Sequence, residues 1–429
     1  MAEAPALEGG TGLAALWRFF RQPEIWRLCL GRWTSDWGDA VHILAFNWLL
    51  VQQTGSAAAV GLCQALWIAG QLTFSWPGGW LVDRLGPRAL LLTSYGLHGA
   101  LIAAFAAFAF WGRTNLWLLG GISIVLGVLG APTDPAHRSL TKQIAPENAD
   151  LVRLNGLLSS GGAAAQCLGP LLAGWMLMVV PGAWAFALNA LSFVAAAVAL
   201  AGIRPKAPRA AAAPPLPAAA GRAPLLAVLR PLLGPLIAAS GFIFGPAALL
   251  VVFLPYYVQQ VQHWPISALG TLEAARWLGL GVGTVLGSLL LGRLVVRLSL
   301  ALAVALASLL VPLAGFALSA SAGWMVQAGW LAALGTAAGV AYVLLNQLFL
   351  QEVRAEWMGR VNGGLAVYVG LGLLVFGALW WLTIERIGYP VALQGAIALF
   401  AACLIPSALA ALRPRLMKYF SLDNRSQEP

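Results

Sequence analysis

Four ionisable side chains, Arg32, Asp36, Asp39 and His42, sit inside one long apolar stretch of this 429-residue chain. Positions 32, 36 and 39 are spaced four and then three residues apart, so in a helix they share one stripe. Ionised groups within a bilayer cost about 2.5–3.5 kcal/mol each on insertion scales, so few persist without a partner or a use. Arg32 stands four residues before Asp36 and is its obvious neutralising partner. Asp39 lies deeper, about 17 Å from the start of the stretch at roughly 1.5 Å per helical residue. A carboxylate that gains and loses a proton as its cavity opens and closes is what proton coupling requires. Asp39, Asp36 and, in a second cluster, Glu273 are the proton-coupling candidates. Arg32 and Arg276 are the intramembrane charge partners. The plainer alternatives are an Arg32–Asp36 pair that holds its helix, a self-compensating Glu273–Arg276 pair, and an Asp39 bonded to a neighbouring polar group.

The elements that must position these residues follow from composition. The chain is 60% hydrophobic and 9% charged, with a mean hydropathy of +0.81, whereas soluble domains are about 25% charged. Apolar runs of 18 or more residues recur along its length, each able to cross ~30 Å of hydrocarbon as a helix. Backbone groups in lipid must pair internally, which leaves helices or a closed barrel. Runs rich in Leu, Ala and Gly without alternation exclude the barrel. Twelve spans are expected, near 28–52, 57–80, 88–111, 115–133, 152–180, 183–202, 231–258, 267–291, 298–320, 323–350, 359–384 and 389–412. They fall into two six-helix bundles, 28–202 and 231–412, joined by a linker over 203–230 whose Ala/Pro run is too polar to insert. The first 27 residues include a stretch, Leu13 to Arg21, that reads either as an amphipathic helix on the membrane surface or as a frayed tail. Residues 413–429 form a tail.

Charge distribution sets the expected orientation. With the N-terminus inside, the tails and inner loops carry 21 of the 25 Lys and Arg residues, the outer loops carry only Arg113 and Arg386, and Arg32 and Arg276 remain within the membrane. That sorting follows the positive-inside rule and puts both termini in the cytoplasm, in a multi-pass protein of the cell inner (plasma) membrane. A pI near 10.0 reflects these short loops rather than nucleic-acid binding. Cys29, Cys63, Cys167 and Cys403 all fall in apolar runs without paired spacing, so neither disulfides nor a metal site is expected. No cleavable signal sequence is expected. The Arg and Ala bias hints at a GC-rich bacterial genome.

The halves repeat. Gly61-Leu-Cys-Gln64-Ala-Leu-Trp67 matches Gly270-Thr-Leu-Glu273-Ala-Ala-Arg276, and Arg153-Leu-Asn155-Gly156 matches Arg360-Val-Asn362-Gly363, at offsets of about 207 to 209 residues. Between spans two and three lies Gly79-Trp-Leu-Val-Asp83-Arg84-Leu-Gly86-Pro-Arg88, a charged, glycine-marked hairpin. At these residues the chain resembles the major facilitator superfamily, which carries such a motif there. The second-half copy, Gly287 to Arg297, has Gly292 where Asp83 stands. Gly156, Ala165, Gly169-Pro170 and Ala173-Gly174 resemble the motif that marks antiporters of that superfamily. Ser35-Asp36-Trp37-Gly38-Asp39 and Asp134-Pro135-Ala136-His137-Arg138 are similar to its drug/proton exporter branch, which includes macrolide-efflux and enterobactin-exporter proteins. One departure is that span four has no arginine between Arg113 and Arg138, where many drug–proton antiporters carry one.

The resemblance implies an all-α membrane protein of twelve transmembrane helices in two pseudo-symmetric six-helix halves. It implies a cytoplasmic gate of Gly79, Asp83, Arg84, Gly86, Arg88 and Asp134. There Asp83 would face the positive N-terminus of span eleven near Trp357 to Gly359, and an arginine of the loop would reach Asp134. It implies close packing of span five through Gly156, Gly169 and Gly174, with a bend at Pro170. Trp33, Trp37, Asn47, Gln64, Trp67, Gln71, Tyr256, Tyr257, Asn346 and Gln347 are the substrate-cavity candidates. Aromatic rings with a few amides suit a bulky apolar or cationic organic molecule. The expected function is proton-coupled efflux of hydrophobic or amphipathic small molecules (a drug, natural product or siderophore-like compound) by a monomer. Its partners are the lipid bilayer, the substrate and protons, with no cofactor beyond the proton gradient. A lipid or lysolipid flippase, or an uncoupled facilitator, is the alternative on the same scaffold. A membrane enzyme finds no support: there is no phosphate loop, no His-Glu-x-x-His pair and no Cys cluster, and His42, His98, His137 and His263 are scattered along the chain. A non-transporting receptor would have little docking surface in such short loops.

Overall fold

The computed structural model describes residues 19–145, 147–204, 233–294, 298–319, 321–353 and 355–404. Most of the expected linker, residues 1–18 of the N-terminal segment with most of its amphipathic stretch, the end of span twelve and the C-terminal tail lie outside the described residues. Every regular element among the described residues is helical. In chain order these are α1 (Pro23–Thr54), α2 (Ala57–Leu85), α3 (Pro87–Phe110), α4 (Leu116–Gly130), α5 (Thr133–Ile144), α6 (Asn148–Met176) and α7 (Ala183–Ala201). After the linker come α8 (a helical run over 233–261), α9 (Ile266–Leu294), α10 (Leu298–Ala307), α11 (Leu310–Leu318), α12 (Trp324–Glu352), α13 (Ala355–Arg386) and α14 (Tyr389–Leu404).

Seven helical segments are long and apolar enough to cross a membrane, and Val304–Leu318 and Tyr389–Leu404 are shorter apolar helices. Helices α1, α6 and α9 are 32, 29 and 29 residues long and carry charges inside otherwise apolar runs. Together these make twelve crossings, because α4 with α5, and α10 with α11, each form one broken crossing. Pro312 causes the second break. It has no N–H to donate to Ser308, where the helix is interrupted. Two π turns, Ile243–Ala247 and Tyr257–Val261, interrupt α8. The first contains Pro246, and the carbonyl of Phe244 beside it accepts the buried Trp380 indole N–H at 2.7 Å.

Two local expectations change. The charged hairpin between spans two and three is no loop: α2 continues to Leu85 and only Gly86 separates it from α3. Gly86 has φ +77°, which glycine adopts without steric cost, and Pro87 begins the next helix with its φ already set. The stretch after span four is likewise helical. The chain turns at Ala131–Pro132 and continues as α5, with Ala136, His137, Leu140 and Thr141 buried and Asp134, Arg138 and Lys142 exposed.

In the first half, α1 packs on α6 and α7, α2 on α4, and α3 on α7; α9 packs on α12 in the second. The halves meet through α6 with α9 and α2 with α13. Near the end carrying Ser56 and Glu385, Ser56 donates to Glu385 Oε1 at 2.5 Å. On α6, a Cβ added at Gly174 would come 3.1 Å from Ser267 and 3.2 Å from Gly270 on α9. Small residues allow this backbone approach. Gly281, on the same helix as Gly270, has open space around it. Gly270→Leu is therefore expected to cost about 1–3 kcal/mol through overpacking and to lower the thermal midpoint in a thiol-dye melt. Gly281→Leu should leave it near wild type, and equal effects of the two would contradict this packing.

Candidate functional site

A cavity of about 490 Å³ lies within the first half, lined from α1 to α7. The α1 stripe faces it with Arg32, Ser35, Asp36, Asp39 and His42. Arg32 Nε is 2.9 Å from Asp36 Oδ1, as the i,i+4 spacing predicts, and its Nη1 is 3.1 Å from Asp134 Oδ1 on α5. One guanidinium thus serves two carboxylates, in a cluster that is partly open, since Asp134 is 63% exposed. Asp39 has a different kind of partner. Asn189 Nδ2 on α7 donates to Asp39 Oδ1 at 3.1 Å, and Ser192 Oγ donates to Asn189 Oδ1 at 3.0 Å. Gly38 leaves room for this contact, since a Cβ there would run into both Asn189 and Ser192. Asp39 therefore meets a neutral amide where Asp36 meets a cation.

Three histidines that are far apart in sequence converge here. His42, His98 and His137 are all buried and all line the cavity. Tyr95 OH is 2.6 Å from His137 Nε2 and 3.4 Å from Ser35 Oγ. His98 Nδ1 is 2.9 Å from the Ser94 carbonyl. His263 lies elsewhere, in the turn before α9. Sequence reasoning missed Asn189, Ser192 and Tyr95. The signal for Asn189 was present, as an amide within the apolar span 183–202. No group of three or more His, Cys, Asp or Glu residues among the described ones is arranged to hold a metal ion.

A second cavity of about 690 Å³ lies between the halves, against α2, α8 and α13. Gln64, Trp67 and Gln71, on one face of α2, line both cavities, and Asn47 lines the first. The remaining cavity candidates line neither. Trp33 packs against Gly161 on α6, with its indole N–H unpartnered. Trp37 is half-buried outside both cavities. Tyr256 packs on the second-half core, and the Tyr257 hydroxyl accepts from Gln327 at 2.7 Å and Gln262 at 2.8 Å. Asn346 is exposed and Gln347 half-buried. Glu273 and Arg276 pair with each other at 2.6 Å, and the guanidinium also lies 4.7 Å from the Trp277 ring centroid.

The gate residues are arranged differently from expectation. Neither Arg84 nor Arg88 is the partner of Asp134; Arg32 is. Arg84 stacks over Trp80 at 4.3 Å. Arg88 donates to the Ala201 carbonyl at 2.6 Å and the Leu200 carbonyl at 3.3 Å, and Arg27 donates to Gly202 at 2.6 Å. Both cations sit where the C-terminus of α7 presents unpaired carbonyls and negative charge. Gly79 lies within α2 and Asp83 is exposed. The expected contact of Asp83 near Trp357 to Gly359 involves side chains outside the described ones. Of the span-five motif, Gly169 meets Ala40 of α1, the Pro170 carbonyl and Gly174 meet Gly270, and Gly156 faces open space.

This fold, with polar groups gathered inside a half-bundle and a crevice between bundles, is that of a membrane transporter. The chain belongs to the Major Facilitator Superfamily, whose family model matches residues 28–377. It is 28% identical over 172 residues to the multidrug efflux pump Tap of Mycobacterium tuberculosis and to that of Mycobacterium bovis. The match covers 39% of this chain and 41% of the relative, so the chain spans about two fifths of the length of these curated relatives. Among solved structures, a bacterial homologue of the iron transporter ferroportin in an inward-facing state superposes with a TM-score of 0.69 at 16% identity, over 92% of this chain and 99% of that one. A D-xylose–proton symporter superposes with a TM-score of 0.67 at 14% identity, over 91% and 96%. At these identities the structures establish the fold, and family and fold together place the chain among transporters rather than enzymes.

The Arg32 cluster makes a stability prediction. Arg32→Gln leaves Asp36 and Asp134 without their cation. Breaking a buried pair costs about 3–5 kcal/mol, and the partial exposure of this cluster should reduce that to about 1–3 kcal/mol. Thermal unfolding in detergent should show the loss, and adding Asp36→Asn should restore at least half of it. An additive or worse double variant would contradict the pairing.

Proposed function

We propose that the protein is a proton-coupled exporter of hydrophobic or amphipathic small molecules in the bacterial plasma membrane, working by alternating access as a monomer with both termini in the cytoplasm. The observation that carries this reading is the unequal pairing on α1. Arg32 offsets the ionised form of Asp36, whereas Asp39 is held by an amide that can face either protonation state. A group so placed is free to change its charge when its surroundings change. The apolar crevice between the halves, with Trp67 and two glutamines in its wall, suits a bulky organic molecule carrying few polar groups. The partial likeness to a multidrug efflux pump supports export of such compounds. The contacts near Ser56, Glu385, Gly174 and Gly270 support an assignment of this conformation to one closed on the outside.

Glu273 is the weaker coupling candidate, because Arg276 closes around it. The basic ends of α2, α3 and α7 are assigned to the cytoplasmic side by their arginines.

A resistance screen in an efflux-deficient bacterium, with and without a protonophore, identifies the compound to test. In proteoliposomes, Asp39→Asn is then expected to reduce pH-gradient-driven efflux of that compound by at least about tenfold, while its binding constant changes by less than about twofold. Efflux that stays intact and still responds to the gradient would mean coupling at another residue, and wild-type efflux that ignores the gradient would mean an uncoupled facilitator.

A further inference from the structure

The two cavities share one wall, the Gln64–Trp67–Gln71 face of α2, but differ in chemistry. The crevice between the halves is mainly apolar, whereas the cavity inside the first half is crowded with titratable groups. We propose that protons reach Asp39 by a relay inside the first half, separate from the substrate crevice, running from water at the Asp134 end of α5 through His137 and Tyr95 to Ser35 and Asp39. This rests on the proton-coupled reading above and adds the route and its residues.

The spacing of the groups supports the route. Asp134 is exposed at the basic end of the bundle, and His137 is one turn further along α5, buried at 5% exposure. His137 Nε2 is 2.6 Å from Tyr95 OH, which is 3.4 Å from Ser35 Oγ. Ser35, Asp39 and His42 follow at intervals of four and three on α1 and line the same cavity. Two buried ring nitrogens of the cavity have no hydrogen-bond partner: His137 Nδ1, which is on this path, and His42 Nδ1, which lies beyond its Asp39 end. Buried polar atoms in a polar cavity of this size call for water, so His137 Nδ1 marks where water, and with it a proton, enters the chain of groups, and His42 Nδ1 marks water near its Asp39 end.

Each element around Asp39 contributes to its electrostatic setting. Arg32, Asp36 and His42 come from α1, Cys63 from α2, Tyr95 and His98 from α3, and Asp134 and His137 from α5. Helix α7 offers the neutral Asn189 and Ser192. His137 Nε2 faces Tyr95, and Nδ1 is its unpartnered nitrogen. A proton taken at Nδ1 makes the ring an imidazolium, which gives its Nε2 proton to the Tyr95 oxygen. The Tyr95 hydroxyl proton moves to Ser35 Oγ, and Ser35, whose hydroxyl otherwise donates to the Arg32 carbonyl at 2.9 Å, turns away from that carbonyl to pass its own proton through cavity water to a carboxylate oxygen of Asp39. One proton enters, one arrives, and the intermediate groups return to their starting charge; His137 is left as its Nδ1–H tautomer and is reset when that proton leaves to water and Nε2 is protonated again. His137 and Tyr95 thus act as relay residues and make no contact with the transported molecule.

The test needs no substrate. A pH jump on the full-length protein in detergent, followed by time-resolved infrared spectroscopy, reads the carboxylic-acid carbonyl band that disappears in Asp39→Asn. His137→Gln keeps an amide opposite Tyr95 but cannot carry a proton. It is expected to slow the appearance of the band by at least about tenfold while leaving its final amplitude unchanged. Tyr95→Phe should slow it similarly, and imidazole added to His137→Gly should restore the rate. These last two carry the test if His137→Gln fails to fold. An unchanged rate in these variants overturns the relay, and so does an unchanged rate with a lost amplitude, which would mean that His137 sets the charge of Asp39 without delivering the proton. If the wild type shows no Asp39 band at any pH, the coupling reading itself falls and the relay falls with it.

Discussion

An ionised group inside hydrocarbon must be matched by opposite charge or by hydrogen bonds, and the first half of this protein is organised around that requirement. Arg32 is the only cation on the α1 stripe, and it is shared between Asp36 on its own helix and Asp134 on α5. The second contact exists because Pro132 turns the chain and starts α5 with Asp134 in its first turn. The same turn buries His137 against Tyr95. Asp39, one step deeper, depends on the close approach of α1 and α7, which Gly38 permits. A single charge pattern thus fixes the register of α1 against α5 and α7, and it sets aside one carboxylate whose partner is neutral.

The second half handles its polar groups differently. Its internal charge cluster is a closed pair, Glu273 with Arg276. Its buried amide, Gln327, is fully buried and joined to Tyr257 near the second π turn of α8. The first contact closes a charge pair within α9, and the second joins α12 to α8. The repeat that makes the halves alike in backbone therefore does not make them alike in chemistry. Polar groups capable of changing charge gather in the first half, and the apolar crevice shared by both halves receives α8 and α13 from the second. Helix α2 borders both spaces, so a movement of its Trp67 face is felt in each.

Much of the fold was legible because crossing helices are long, apolar and separated by short polar stretches, features that depend on neighbouring residues alone. The Arg32–Asp36 and Glu273–Arg276 pairs were legible for the same reason, being fixed by helical spacing. What escaped depends on residues brought together from afar. Arg32 and Asp134 are 102 residues apart, and Asp39 and Asn189 are 150 apart. The gate implied by the superfamily resemblance places an arginine from the α2–α3 turn on Asp134, yet here α7 ends close enough to draw Arg88 onto its carbonyls, and Arg32 takes Asp134 instead. The histidines looked unrelated because each lies on a different helix. Their convergence follows from the packing of α1 and α3 against α7 and of α5 against α3, which no periodicity in one segment encodes. The hairpin read as a loop failed for a simpler reason: charged residues at a helix end resemble a loop in sequence.

The central claim is that the Asp39 carboxyl group changes its ionisation as the two halves rock. The most direct measurement is an infrared pH titration of Asp39, assigned by its loss in Asp39→Asn, on protein cross-linked closed at the Ser56–Glu385 end and on protein cross-linked closed at the Arg84–Arg88 end. The prediction is a carboxyl that is neutral in one state and ionised in the other at the same pH. A carboxylate ionised in both states across the physiological range would contradict the claim, even with the helical bundle intact.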